Sequence, residues 1–153
     1  MAISEGDKEP KFEAQDSDGK TVKSSDYAGK RHVIYFYPKN FTPGCTIQAD
    51  EFSVNLAKFK KAGIEIIGVS PDDSASHKKF CNKMGVKYTL LADTDHTVSK
   101  GFGVWGTKKF MGKEHMGVIR STFLVDEKGL VFKVFPKVKP AGHAAEVLDC
   151  FKS

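Results

Sequence analysis

Apolar residues along the chain alternate between continuous runs and helical spacing, and the changes of pattern mark its elements. Val33-Ile34-Tyr35-Phe36-Tyr37 gives the stretch Arg31 to Tyr37 an almost unbroken apolar character. That is the signature of a central strand covered on both faces, and Pro38 ends it. From Cys45 to about Lys61, the residues Cys45, Ala49, Phe52, Leu56 and Phe59 recur at spacings of four, three, four and three, which predicts a helix with one apolar stripe. Ile64 to Val69 reads as a second buried strand, Ser70-Pro71-Asp72-Asp73 as a turn, and Ser74 to Met84 as another helix. Leu90-Leu91-Ala92 supplies a third, short strand. Thr94 to Phe102 is a short helix or loop, followed by the Gly-containing segment Gly103 to Lys113.

The ends of the chain complete the pattern. Lys11 to Ala14 and Thr21 to Lys23 flank Asp16-Ser17-Asp18-Gly19, which predicts a short hairpin at an edge. Val118 to Val125 and Leu130 to Phe135 are two further strands, and the turn-like Asp126-Glu127-Lys128-Gly129 between them makes them antiparallel neighbours. A helix near Gly142 to Lys152 closes the chain, with Ala144, Val147 or Leu148, and Phe151 on its core face. A βαβ order followed by a β-hairpin and a last helix implies an α/β sandwich of thioredoxin-like architecture. Its central mixed sheet has about five strands with flanking helices, plus the N-terminal hairpin.

Composition narrows the setting. With 153 residues, 40% of them hydrophobic and 28% charged, the chain has room for one core, so residues 1–153 are expected to form a single domain. Three cysteines are too few for a secreted disulfide scaffold and fit a reducing compartment. Met1-Ala2-Ile3-Ser4-Glu5 lacks a basic segment followed by an apolar stretch, and no run nears the roughly 18 apolar residues of a membrane helix. A cytoplasmic protein without a membrane partner is the expectation. The formal charge of +5 is spread over the chain and can attract anions or acidic protein faces. Lys108-Lys109-Phe110 with Lys113 reads as a solvated loop rather than a nucleic-acid patch, since no zinc-finger spacing or RNA-binding aromatic motif accompanies it.

Chemistry concentrates at Thr42-Pro43-Gly44-Cys45, between the first strong strand and the first helix. A cysteine on the first helical turn meets unpaired N–H groups and the positive end of the helix dipole. These can hold it as the reactive thiolate well below the free value of about 8.5. Pro43-Gly44 favours a turn at the sheet edge for this residue over a packed interior. Thr42, three residues earlier, can cap the turn or hold an oxygen-containing substrate beside the sulfur. Arg120 enters the apolar strand Arg120-Ser121-Thr122-Phe123-Leu124-Val125, where it is either an edge residue or a fixed positive charge for a thiolate and an oxygen substrate. Neither a phosphate-binding loop nor metal-ligand spacing is present; Cys45, Cys81, Cys150 and the histidines are scattered.

The stretch Tyr35 to Thr46, containing Pro38-Lys39-Asn40-Phe41-Thr42-Pro43-Gly44-Cys45, resembles the active-site signature of the atypical two-cysteine peroxiredoxins called bacterioferritin comigratory protein or peroxiredoxin Q. Gly68-Val69-Ser70-Pro71-Asp72, Leu90-Leu91-Ala92-Asp93, Phe102-Gly103-Val104-Trp105-Gly106 and Arg120 to Val125 extend the likeness in order over most of the chain. The resemblance implies a thiol peroxidase without metal, haem, flavin or nicotinamide cofactor, acting on hydrogen peroxide and organic hydroperoxides. It makes Cys45 the peroxidatic cysteine, Thr42 and Arg120 its oxygen-positioning and activating partners, and Pro38 and Gly44 part of the substrate pocket.

Two positions depart from the common family pattern. Asp50 stands where many members carry a resolving cysteine, and Gln48 where the family often has glutamate. The chain is closer to a subgroup whose resolving cysteine lies on the following helix, which points to Cys81. An intramolecular disulfide recycled by thioredoxin or a glutaredoxin-like reductant, in a monomer, is then expected. A one-cysteine peroxidase using external thiol, protein thiol–disulfide exchange and a chaperone-like binding protein are the alternatives. From the residues alone, Phe80, Cys81 and Met84 can equally form a buried helix face, and Cys150 is structural or incidental.

Overall fold

A computed structural model describes residues 3–110 and 112–151. The strands are β1 (Glu13–Asp16), β2 (Thr21–Lys23), β3 (Arg31–Phe36), β4 (Ile64–Ser70), β5 (Thr89–Ala92), β6 (Trp105–Phe110), β7 (Lys113–Val118), β8 (Ser121–Val125) and β9 (Val131–Phe135). The helices are α1 (Pro43–Val54), α2 (Leu56–Lys61), α3 (Ser74–Met84), α4 (Thr97–Gly101) and α5 (His143–Phe151). Seven strands form one mixed sheet in the order β2-β1-β5-β4-β3-β8-β9, and β6 pairs with β7 alone. The five strands from β5 to β9 in that order are the expected central sheet. The N-terminal hairpin extends it by pairing Gln15 with Ala92.

β3 lies at the centre, parallel to β4 through Ile34 and Ile67 and antiparallel to β8 through Ile34 and Phe123. Alternation along this strand feeds two cores. Val33, Tyr35 and Tyr37 face α1, α3 and α5, packing with Ala49, Phe52, Phe80 and Val147. Ile34 and Phe36 face the other way, onto Val98, Phe102 and Phe123. Both crossovers, β3-α1-α2-β4 and β4-α3-β5, step across the sheet in one direction, and right-handed crossovers of that kind put their helices on one face. The helices bearing Cys45 and Cys81 therefore share a layer.

Three sequence expectations need correction. The helix predicted from Cys45 to Lys61 is interrupted at Asn55, whose amide Nδ2 donates to the Glu51 carbonyl at 2.8 Å and competes with the main-chain ladder. The segment Gly103 to Lys113 and the Lys108-Lys109 loop are replaced by the β6–β7 ribbon, registered by Trp105 with Val118 and Thr107 with Met116. The single strand Val118 to Val125 is two strands, because Ile119 turns its N–H to the Val104 carbonyl at 2.8 Å. Lys152, at the predicted end of the last helix, lies outside the described residues. Among the described residues, no helix is long and apolar enough to cross a membrane.

Candidate active site

α1 begins one residue after Thr42, with Pro43 at its first position, where a missing N–H costs nothing and the fixed φ suits a helix. This start puts Cys45 on the first turn. Its side chain is 2% exposed and belongs to the core cluster with Tyr35, Tyr37 and Ala49. The edge-turn expectation is thus corrected: the thiol is under cover, because the apolar stripe that begins with it is the face α1 packs onto the sheet.

Arg120 occupies the break between β7 and β8 and reaches the same spot. Its Nη2 donates to Cys45 Sγ at 3.2 Å, and its Nη1 donates to Gln48 Oε1 at 2.7 Å. The guanidinium fork is therefore spread over two residues one helical turn apart, which fixes its plane. Gln48 is 1% exposed, and its Nε2 has no hydrogen-bond partner. Turning the amide over would set N–H against N–H, so the arginine dictates the orientation. Among the described residues no carboxylate pairs with Arg120, and its full positive charge faces the sulfur.

Gly44 makes this approach possible. A Cβ built there would stand 3.1 Å from Arg120 Nη2 and 3.3 Å from Pro140 Cγ. The segment carrying Pro140 is held in turn by Glu51 of α1, whose carboxylate accepts from the Gly142 N–H at 2.8 and 3.1 Å. His143 then locks α5 to β8 through Thr122 Oγ1 at 2.8 Å.

Thr42 is the capping residue by backbone position, yet its hydroxyl makes no capping bond. It donates instead to the Lys39 carbonyl at 2.8 Å. With its only proton committed there, the oxygen can serve an incoming O–H group only as an acceptor. Pro38 is half-buried two residues beyond the end of β3.

Cys81 lies in the second half of α3. It is half-buried beside the core cluster and lines a groove of about 530 Å³ with Asp16, Ser17, Lys78 and Tyr88. Burial pushes its thiol up, opposed by a hydrogen bond from Ser17. Cys150 sits on α5, and burial raises its thiol as well. No disulfide joins the three cysteines. Cys45, Thr42, Gly44 and Arg120 thus gather at the start of α1, while Cys81 faces the β1–β2 turn. Cys45 packs against Tyr35 and Tyr37, whereas Cys81 lies beside Tyr88 and the Asp16-Ser17 turn, at different places on the same core cluster.

The roles of two residues escaped the sequence reading. Gln48 was visible as a residue one turn beyond Cys45, but nothing local shows that it holds the arginine. Asn40 is buried between β3 and α1 and bonded on every side. Its only sequence signal was a polar residue at the end of an apolar strand.

Comparison with known proteins identifies the family. The profile of the AhpC/TSA family matches residues 6–134. Peroxiredoxin Bcp of Bacillus subtilis is 46% identical over 152 residues, which is 99% of this chain and 97% of the relative. The structure of Xanthomonas campestris peroxiredoxin Q superposes with a TM-score of 0.88 at 42% identity, covering 92% of this chain and 89% of that one. A structure of the Xanthomonas campestris bacterioferritin comigratory protein, studied for its alkyl peroxide reduction activity, superposes with a TM-score of 0.88 at 40% identity, over 92% and 90% of the two chains. On the strength of these matches and of the thiol site at the head of α1, the chain belongs to the AhpC/TSA family as a peroxiredoxin of the bacterioferritin comigratory protein, or peroxiredoxin Q, type.

Proposed function

We propose that this enzyme reduces hydrogen peroxide and alkyl hydroperoxides at Cys45, and that Cys81 completes the cycle as an intrachain disulfide. The observation that carries the reading is the 3.2 Å contact from Arg120 Nη2 to Cys45 Sγ beneath the first turn of α1. The Cys45 sulfur attacks the terminal oxygen of ROOH. An S–O bond forms, the O–O bond breaks, and the departing RO⁻ takes a proton to leave as alcohol or water. Arg120 offers N–H groups both to the sulfur and to negative charge developing on oxygen, and such pre-set donors lower the barrier without reorganising during the reaction. Thr42, its own proton given to Lys39, accepts from the hydroperoxide O–H and aims it. Pro38 and Gly44 shape the walls.

The Cys81 thiolate then attacks the sulfenic sulfur, releasing water and forming the Cys45–Cys81 bond. Two electrons from an external dithiol of the thioredoxin or glutaredoxin type restore both thiols. Alkyl hydroperoxides are included because the Xanthomonas campestris relative is described by that activity. We place the enzyme in the cytoplasm as a single-domain monomer, where a dithiol reductant is at hand.

The test is hydroperoxide consumption coupled to a thioredoxin system, for the parent chain and for Cys45→Ser, with insulin reduction in parallel. Turnover of peroxide that vanishes in the serine variant, without insulin reduction, is the expected result. Peroxide turnover retained by Cys45→Ser would refute the assignment. Insulin reduction without peroxide turnover would favour thiol–disulfide exchange.

A further inference from the structure

The two segments that must meet for a Cys45–Cys81 bond are fastened to each other by one buried side chain. Asn40 is 2% exposed and lies five residues before Cys45. Its Oδ1 accepts from the Tyr37 hydroxyl at 2.7 Å. Its Nδ2 donates to His77 Nδ1 at 3.0 Å and to Ser76 Oγ at 3.2 Å. Its main-chain N–H donates to Asp72 Oδ2 at 2.9 Å, and the Ser70 hydroxyl supports the same carboxylate at 2.7 Å. Ser76 and His77 belong to the first turns of α3, and Cys81 follows His77 by one turn on the same helical face. Next to Asn40, Phe41 takes a positive φ of 66° and lays its ring edge-on against Phe80 at 5.2 Å. A non-glycine residue in that region is strained and holds only where its surroundings impose it.

Both amide protons of Asn40 are engaged, and so are both ring nitrogens of His77. His77 is fully buried and its Nε2 donates to the Leu91 carbonyl at 2.9 Å, so the neutral ring offers Nδ1 as the acceptor that Asn40 uses. A disulfide requires direct approach of the two sulfurs with Cα atoms within about 7 Å; Cys45 is enclosed against Tyr35 and Tyr37 while Cys81 lines the groove with Asp16 and Tyr88, so α1 and α3 must yield for the sulfurs to meet. Whichever segment leaves first loses the same set of bonds.

We propose that Asn40 is a positioning residue that latches the Cys45 loop to the head of α3, so that the two cysteine-bearing segments open together and the latch sets how fast Cys81 reaches oxidised Cys45. Opening precedes attack, so at a given pH, and thus a given Cys81 thiolate fraction, the rate of disulfide formation follows the open fraction. The inference rests on Cys81 as resolving residue only for that rate. The joint opening is a property of the reduced chain.

The latch also responds to acid. Burial lowers the proton affinity of His77 in the closed state, against the pull of the Asp72 and Asp73 carboxylates at the head of α3. The Tyr37 hydroxyl, pushed well above its usual range, stays neutral beside the ring. A proton on Nδ1 would face the Asn40 N–H, so protonation breaks the His77–Asn40 bond unless the amide turns over, which must reverse its bonds to Tyr37 and Ser76 as well. The open state regains an ordinary histidine near pH 6.5, so closure is favoured above that value and weakens as pH falls below it. Between about pH 7.5 and pH 5.5 the open fraction should rise up to about tenfold.

The test is hydrogen exchange of reduced protein, corrected for intrinsic rates, over Phe41–Thr46 and Ser76–Cys81. In the parent chain both segments should exchange with a common opening constant that grows on acidification. In Asn40→Ala, which deletes three side-chain bonds, both should open about tenfold or more faster and lose most of the pH response. Disulfide formation after one equivalent of peroxide should accelerate by the same factor. The milder Ser76→Ala, losing one acceptor, provides a graded reading if Asn40→Ala does not fold, with several-fold faster opening expected. Independent exchange of the two segments in the parent, or loosening of only one of them in either variant, would overturn the latch. Joint exchange without any Cys45–Cys81 disulfide would leave the latch standing and refute Cys81 instead.

Discussion

Replacing Arg120 by methionine keeps an apolar stem of similar reach and removes the guanidinium, so it separates the chemistry of the site from its packing. Two bonds disappear, the 3.2 Å contact to Cys45 Sγ and the 2.7 Å contact to Gln48 Oε1. For the reaction, the lost donor to the sulfur and to the nascent oxyanion corresponds to about 3 kcal/mol of transition-state stabilisation, or a fall of about a hundredfold in the second-order rate of Cys45 oxidation. For the fold, Gln48 becomes a buried amide with neither end satisfied, costing about 1–3 kcal/mol. Arg120 is itself half-buried, which favours the lower end. Stopped-flow oxidation by hydrogen peroxide and urea unfolding measure the two effects separately. Adding Gln48→Met to Arg120→Met should recover stability, since an apolar side chain of similar size then fills the amide's place, and should leave the rate low. A rate within about threefold of the parent in Arg120→Met, or its recovery in the double variant, would show that the arginine acts through packing and would refute the reasoning.

Gly44→Ala should fold normally yet oxidise about tenfold more slowly, because its Cβ at 3.1 Å from Arg120 Nη2 displaces the fork from the sulfur; an unchanged stopped-flow rate would contradict this. Burial raises the Cys81 thiol, so the resolving step should quicken about tenfold per pH unit above neutrality until its thiolate is populated, and a flat profile of sulfenic-acid lifetime by quench-flow would exclude it as nucleophile. Phe52→Ala should cost about 3–5 kcal/mol in urea unfolding, since the ring is fully buried and stacks on Tyr35 at 4.8 Å; a loss below about 1 kcal/mol would mean that the α1 core has collapsed around the gap.

Much of this molecule is written locally. The unbroken apolar run at β3 announced a central strand because both its faces are covered, and the four-three spacing from Cys45 announced the face that α1 buries. The turn Thr42 to Gly44 placed the thiol correctly at a helix start for the same reason: proline and a capping residue act within one turn. What escaped depends on partners distant in sequence. Whether the N-terminal hairpin joins the main sheet is decided by Gln15 meeting Ala92. The break before β8 is decided by Ile119 bonding to Val104 rather than continuing the strand, and it is this break that frees Arg120 to turn toward α1. Gln48 and Asn40 acquire their roles only from an arginine and a histidine far along the chain, so no window around either residue contains the information.

The central claim is that Cys45 takes oxygen from the peroxide and that Cys81 of the same chain resolves it. Reduced enzyme treated with one equivalent of hydrogen peroxide at low protein concentration, blocked with alkylating agent, digested without reduction and read by peptide mass spectrometry tests this most directly. A dominant intrachain link between the peptides of Cys45 and Cys81, with Cys150 alkylated, is the expected result. A dominant link from Cys45 to Cys150, a Cys45–Cys81 link found only between chains, or Cys45 sulfenic acid that persists until external thiol is added would contradict it.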